Sequence, residues 1–448
     1  MSPTARPRIS IDGYNLALEK GTGVATYARN LSFALRDLGC DVGILYGGSA
    51  PASRDPLMRE VAFFDTEPLK IPKWTRTLRE LRGNVAALLG LRAARIPVTG
   101  KVIVETYRSR LPYFDQIWNA RDLFVASYAF FDLFKRHLDV SMPGGTPEIM
   151  HWTYPLPIRV KGARNIYTMH DLVPLRLPYT TLDAKRRYFR MCQMLIRDAD
   201  HIVTVSEASR RDIIGLLGVP EDRVTNTYQT VEIPARHAAR PLDMVRGDIE
   251  GTFGLTMGNY FLFFGAIEPK KNVGRLIEAY LASGVTGPLV IAGKKAWKSE
   301  DELKLLFDDH IRYLVADGPY TFTRHRVVHL DYVSFPLLVS LIRGARAVLF
   351  PSLYEGFGLP ALEAMLLGTP VMTSNTASLP EVVGDAALTV DPYDTRAMAE
   401  AIRRLDTDAQ LRARLAAMGP GQAAKFDSAA YRKRLTSLYG RLGIGFAA

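Results

Sequence analysis

The chain is poor in cysteine, with two among 448 residues, Cys40 and Cys192. They lie far apart and make no metal-type spacing, which argues against a disulfide framework or a zinc module and fits two reduced thiols in a cytosolic protein. Long apolar runs are missing as well. None reaches the ~18 residues needed to cross a bilayer, and the opening Met1-Ser-Pro-Thr-Ala-Arg-Pro-Arg8 lacks the apolar core of a signal peptide. The expectation is a cytoplasmic protein. Acidic residues fall short of basic ones, 46 Asp and Glu against 57 Lys and Arg, for a net charge of +11. That excess favours anionic partners such as nucleotide phosphates, phospholipid head groups or a diphosphate-linked acceptor. A nucleic-acid reader would interleave aromatics and arginines on a recognisable module, and no such module is found. No repeat of solenoid period is visible either.

What is present is an α/β alternation. The length suggests two domains of roughly 200 residues each. Arg8–Asp12 reads as a buried strand, followed by a loop with Gly21-Thr22-Gly23. Val24, Tyr27, Ala28, Leu31, Leu35 and Leu38 then recur at helical spacing up to Gly39, and Asp41–Tyr46 is the next strand. Strand, glycine loop, helix, strand is how a doubly wound domain opens. Asn165–His170 and His201–Ser206 are further strand-length runs. Ligands of such sheets sit beyond the carboxyl ends of the strands, which singles out His170, Asp171, Ser206 and Glu207. From Glu232 to Gly258 the pattern dissolves into Pro, Arg, Gly and Asp and reads as a linker. A second series follows with Tyr260–Gly265, Leu289–Ala292, Val327–Leu330 and Ala347–Phe350. The expected divisions are 1–240, a linker at 241–258, a second domain at 259–425, and a C-terminal helix in 426–448 packing back toward the first.

Leu69–Arg95 has a different character. Trp74, Leu78, Leu81, Val85 and Leu88 share one helical face, while Lys73, Arg76, Arg79 and Arg82 spread over the other. A basic amphipathic helix of this kind suits docking on an anionic membrane surface, and equally suits packing its apolar face on the core.

Phe350–Pro370 carries the most chemistry. A strand ends at Phe350, a loop holds Glu355, Gly356 and Gly358, and Pro360 opens a helix containing Leu362, Glu363, Met365 and Leu366. Glycines let backbone approach a ligand closely, and a helix N-terminus offers free N–H groups to phosphate. Proline in the first turn sacrifices no hydrogen bond. Glu363, about one turn in, would accept hydrogen bonds from ribose hydroxyls while a diphosphate rests on the loop.

Glu355 and Glu363 form the Glu-x7-Glu pattern within Glu355-Gly-Phe-Gly-Leu-Pro-Ala-Leu-Glu-Ala-Met365, and here the chain resembles the retaining glycosyltransferases of family 4. The likeness continues through Gly368–Val371, Ser374–Val382 and Gly384–Ala386. Upstream it takes in Gly265–Asn272, His170-Asp171, Val205-Ser206-Glu207 and Gly21–Gly23. It implies the α/β fold called GT-B: two facing Rossmann-like domains with the active site in the cleft between them, acceptor on the first and nucleotide sugar on the second. By matching positions, Glu363 would hold the ribose and Glu355 the donor sugar. The amides of Phe357, Gly358 and Leu359 would meet the diphosphate, with Gly265, Lys270 and Lys271. His170 and Asp171 would lie near the transferred sugar and, with Glu355, are the catalytic candidates. Gly21, Thr22, Gly23, Ser206 and Glu207 would shape the floor of the cleft or the acceptor site. In many members an arginine follows the glycine at 265, paired with a lysine five positions later. Here Ala266 stands instead, and Lys270 beside Lys271 is the expected replacement for its charge.

The mechanism this implies is front-face attack on a nucleotide diphosphate sugar without a metal or other cofactor. Asp198-Ala-Asp200 has the spacing of a metal-binding motif but lies at an expected helix end, and reads as structural. Similarity to bacterial mannosyltransferases of surface polysaccharide assembly makes GDP-mannose the first expected donor. It makes a lipid-linked saccharide at the inner membrane face the expected acceptor. Another GT-B enzyme (a sugar-nucleotide epimerase or a phosphorylase) and a non-enzymatic anion-binding protein are the alternatives.

Overall fold

The structure is a computed structural model describing residues 6–16, 23–49, 53, 55–65, 89–102, 111–297, 299–307, 312–317 and 320–446. It divides into two compact units. The first comprises Met1–Leu172, Ala184–Thr230 and Ser428–Ala448; the second comprises Val173–Asp183 and Val231–Asp427.

The first unit is built on an eight-stranded sheet in the order β11-β10-β9-β7-β1-β2-β5-β4. Its strands are β1 (Arg8–Asp12), β2 (Asp41–Tyr46), β4 (Ala94–Ile96), β5 (Gln116–Asn119), β7 (Ile149–Trp152), β9 (Arg164–Thr168), β10 (His201–Thr204) and β11 (Val224–Asn226). All neighbours are parallel except the edge pair β4 and β5. A small parallel sheet of β3 (Leu91–Arg92), β6 (Leu138–Ser141) and β8 (Ile158–Val160) accompanies it. Strands covered on both faces must be apolar throughout, which is why Ile9, Ile11, Val42, Ile44, Ile202 and Val203 are all fully buried. The helix Gly23–Asp37 packs on this sheet through Ala25, Tyr27, Ala28, Leu31 and Leu35.

The C-terminal helix Ser428–Arg441 belongs to this first unit. Its Tyr439 hydroxyl lies 2.7 Å from His151 Nδ1, and Arg432 pairs with Asp37 at 3.2 Å. The other imidazole nitrogen of His151 lies 2.8 Å from Thr168 Oγ1, so a buried ring ties the helix to β7 and β9. Burial pushes the pKa of His151 down to about 3 and keeps it neutral.

The second unit holds a parallel sheet of six strands in the order β16-β13-β12-β17-β18-β19. These are β12 (Phe261–Phe264), β13 (Leu289–Ala292), β16 (Val327–Leu330), β17 (Ala347–Phe350), β18 (Val371–Ser374) and β19 (Leu388–Val390). A separate antiparallel pair is formed by β14 (Arg312–Asp317) and β15 (Tyr320–His325).

Two expectations need correction. Residues 241–258 are not an irregular linker: Leu242–Phe253 is a helix within the second unit. Gly247 and Gly251 each disfavour a helix by about 1 kcal/mol against alanine, which hid it in the sequence. Burial of Val245 and Ile249 and packing on the helix Phe335–Gly344 override that cost. Asp248 fastens the pair by accepting from Arg240 and from Ser340 Oγ, each at 2.6 Å. The expected helix over 69–95 lies outside the described residues up to position 88. Beyond it the chain is not helical, since Leu91–Arg92 and Ala94–Ile96 pair as strands with β6 and β5. No described helix is long and apolar enough to cross a membrane.

Candidate active site

Three adjacent strands of the second sheet, β13, β12 and β17, end side by side, and the loops beyond their carboxyl ends carry the chemistry. The loop after β17 is clamped through its carbonyls. Thr373 Oγ1 donates to Phe350 O at 2.8 Å, and Ser374 Oγ to Ser352 O at 2.6 Å. Ser378 Oγ lies 2.8 Å from both Glu355 O and Phe357 O. Asn272, held at φ 60°, donates from Nδ2 to Pro351 O at 3.1 Å and Pro392 O at 2.7 Å. Leu353 N donates to Lys270 O at 2.7 Å, joining the β12 and β17 loops. The loop is thus fixed by protein alone.

Gly358 begins the helix Leu359–Leu366 at φ 112°. A Cβ there would sit 2.7 Å from Leu379 Cδ2, so both backbone and space require glycine. The Phe357 ring is buried edge-on against Phe426, with centroids 5.4 Å apart. Pro360 occupies the first turn as expected.

Glu355 is buried, and its Oε1 accepts from Lys271 Nζ at 2.6 Å. Burial opposes its charge, but Lys271 and then Lys270 outweigh it and hold the carboxyl below its ordinary range. Lys271 Nζ also lies 4.8 Å from the centroid of the Phe350 ring. Lys270 Nζ stands 3.6 Å from Oε1 of the buried Glu268. Glu363 is different: half-buried, it has no hydrogen-bond or ion-pair partner among the described residues. Burial alone pushes its carboxyl up to about 7. A partly desolvated carboxylate given no protein donor is suited to accept hydrogen bonds from a ligand.

Gly265 ends β12 at φ 131°, and a Cβ on Gly293 would meet its carbonyl oxygen at 1.8 Å. The β12 and β13 extensions therefore touch backbone to backbone, with Ile267 N donating to Lys294 O at 2.9 Å. Nothing in the sequence pattern marks Gly293 or Lys294 as part of the site.

The second unit thus brings Gly265, Lys270, Lys271, Glu355, Phe357, Gly358, Leu359 and Glu363 onto neighbouring loops of one sheet edge. The remaining candidates stand in the first unit. Gly21 and Thr22 lie outside the described residues, and Gly23 is the exposed first residue of its helix. His170 follows β9, donates from Nε2 to Thr153 O at 2.9 Å and meets Tyr27 edge-on at 4.8 Å. Tyr188 Oη donates to Asp171 O at 3.3 Å. Ser206 caps the helix Glu207–Leu217 by accepting from Ser209 N at 3.0 Å, and Ser209 Oγ donates to His170 O at 2.9 Å. Glu207 Oε1 accepts from Asn226 Nδ2 at 2.9 Å. Asp198 ends the helix Lys185–Asp198 and binds Arg197 and His137, while Asp200 accepts from Asn165 N at 2.6 Å. Both acids of that motif are engaged structurally.

Glycine-rich and charged loops beyond the carboxyl edge of a doubly wound sheet are where nucleotide-handling enzymes bind their ligands, and comparison with known proteins narrows the class. The family model Glycosyl transferases group 1 matches residues 253–421, and Glycosyltransferase Family 4 matches residues 21–232. O-antigen chain mannosyltransferase B of Escherichia coli is 35% identical over 280 residues, 60% of this chain and 68% of that protein. The serotype-specific mannosyltransferase WbdA of Escherichia coli is 27% identical over 288 residues, 61% of this chain but 33% of its own length. The crystal structure of Anabaena HepE in complex with UDP-glucose superposes with a TM-score of 0.61 at 15% identity, over 97% of this chain and 99% of that one. The fold is GT-B, and the chain belongs to the glycosyltransferase family that includes the O-antigen mannosyltransferases.

Proposed function

We propose that the protein transfers a hexose, mannose from GDP-mannose as the first candidate, to a hydroxyl of a lipid-linked saccharide in bacterial surface polysaccharide assembly, with retention of anomeric configuration. The observation that carries this reading is the unpartnered Glu363 carboxylate, one turn into a helix whose N-cap Gly358 gives its first N–H groups no side-chain cap. Ribose hydroxyls would donate to Glu363 while the diphosphate takes the amides of residues 357–359. The names of the mannosyltransferase relatives support the choice of sugar and pathway, and the HepE complex supports a nucleotide sugar as donor.

Cleavage of the sugar–phosphate bond places negative charge on the departing oxygen and positive charge on the sugar ring. Lysines and a helix N-terminus stabilise the first, as oriented donors do at other anionic transition states. The acceptor hydroxyl enters on the face that the diphosphate leaves and passes its proton to the departing phosphate. Neither a covalent sugar–enzyme intermediate nor a metal takes part in this scheme. Sugar trapped on Glu355 or Asp171 in a single turnover would contradict the first statement. Activity lost in EDTA and restored by manganese would contradict the second.

The binding step is tested by thermal shift with GDP, UDP, TDP and their sugars. One nucleotide family should stabilise the protein, since a ligand that binds only the folded state raises its stability. Glu363→Ala should abolish that shift. No shift with any nucleotide would overturn the proposal.

A further inference from the structure

Resting on that donor-site reading, we infer that Lys294 is a diphosphate-binding cation, supplying from the neighbouring strand the charge that Ala266 lacks. Two lysines of the loop after β12 are already opposed by carboxylates: Lys271 by Glu355 at 2.6 Å and Lys270 by Glu268 at 3.6 Å. Those four side chains sum to no net charge, yet a diphosphate brings at least two negative charges. Another cation is needed.

The register of the sheet identifies it. Phe264 pairs with Ala292 at the end of β12 and β13, and the bridge Ile267–Lys295 beyond keeps the same offset. Position 266 therefore stands directly beside position 294. Ile267 N donating to Lys294 O at 2.9 Å and Ala296 N donating to Ile267 O at 3.0 Å close the ladder on either side. Adjacent strands run about 4.8 Å apart, and residues side by side in a parallel pair share a face. Ala266 and Lys294 are both exposed while Ile267 beside them is fully buried, so positions 266 and 294 open to solvent together. A side chain at 294 can therefore serve the same space as one at 266.

Lys294 is exposed and has no hydrogen bond or ion pair among the described residues. Its loop is nonetheless anchored. At one end Gly293 abuts the Gly265 carbonyl, and at the other Trp297 Nε1 donates to Thr180 O at 2.8 Å. A long cation on a fixed base, next to an alanine, has both the reach and the free charge that Lys270 and Lys271 lack. Lysine suits this task as a mobile point charge for phosphate.

The test is equilibrium binding of GDP, GMP, UDP and UMP to the full chain. The proteins compared are the wild type, Lys294→Ala, Lys294→Arg and Lys294→Ala combined with Ala266→Arg. Lys294→Ala should weaken the preferred diphosphate about tenfold and the matching monophosphate by about twofold or less, as expected for one charge-assisted contact to the outer phosphate. Lys294→Arg should keep most of the affinity. Arginine at 266 should restore what alanine at 294 removes, an outcome a merely structural lysine would not give. An unchanged diphosphate-to-monophosphate ratio in Lys294→Ala, or equal loss of both ligands, would overturn the inference and leave the donor site standing. A wild-type chain that binds no nucleoside diphosphate would overturn both.

Discussion

The two sheets have similar strands and differ at their carboxyl edges. In the first unit, the polar groups singled out by sequence are drawn into internal bonding. His170 donates to Thr153 O, Ser206 caps a helix, and Glu207 receives Asn226 Nδ2. In the second unit the loop carbonyls are satisfied by Thr373, Ser374 and Ser378, while the carboxylate of Glu363 is left without a protein donor. The contrast is between polar groups already bonded within the protein and one carboxylate left open to a ligand. A polar residue at a strand end is a common structural device. A half-buried acid with no side-chain partner, one turn into a helix, is costly to maintain and points to a ligand.

The comparison can be broken most forcibly at Glu355. Lys271→Ala would leave a buried carboxylate without its counter-charge and should destabilise the protein by about 3–5 kcal/mol, read from denaturant unfolding of the second unit. Because Lys271 and Lys270 lower the carboxyl pKa, the pair stabilises the fold at neutral pH. Its contribution is lost as pH falls through the lowered value. Replacing both partners together, Lys271→Met with Glu355→Leu, should recover most of that stability while abolishing sugar transfer. If the single and double variants are equally unstable, the pair is not what holds the loop.

A smaller effect is expected from Ser378→Ala, which frees the carbonyls of Glu355 and Phe357. About 1–2 kcal/mol of stability should go, together with part of the nucleotide affinity, because the loop is then less well fixed. Ser206→Ala in the first unit should cost about 1 kcal/mol, the usual worth of an N-cap, and leave nucleotide binding unchanged. Loss of nucleotide affinity from Ser206→Ala would erase the distinction between the two edges.

Much of this was legible in the sequence, for identifiable reasons. Strands such as Asp41–Tyr46, Leu289–Ala292 and Ala347–Phe350 are buried on both faces, so they appear as unbroken apolar runs bounded by polar residues. The helix beginning near Pro360 announced itself by glycine, proline and apolar spacing. The helix Leu242–Phe253 did not, because its glycines and charges conceal two buried residues whose packing partner lies about ninety positions away. His151 was equally opaque, since its value depends on Tyr439, 288 residues downstream. Lys294 needed the register of two strands before it differed from any other loop lysine.

The central claim is that Glu363 is held unpartnered so that a nucleotide can supply its hydrogen bonds, and the pH dependence of nucleotide binding tests it most directly. Burial raises its carboxyl to about 7, so ionisation above that pH is a cost to the folded chain that ligand hydroxyls would repay. Affinity for GDP, or for whichever nucleoside diphosphate binds, should therefore rise with pH from 6 to 8, about fivefold or more. In Glu363→Gln the affinity should be lower and nearly flat across that range. A wild-type profile that is flat, or one that Glu363→Gln leaves unaltered, would contradict the account.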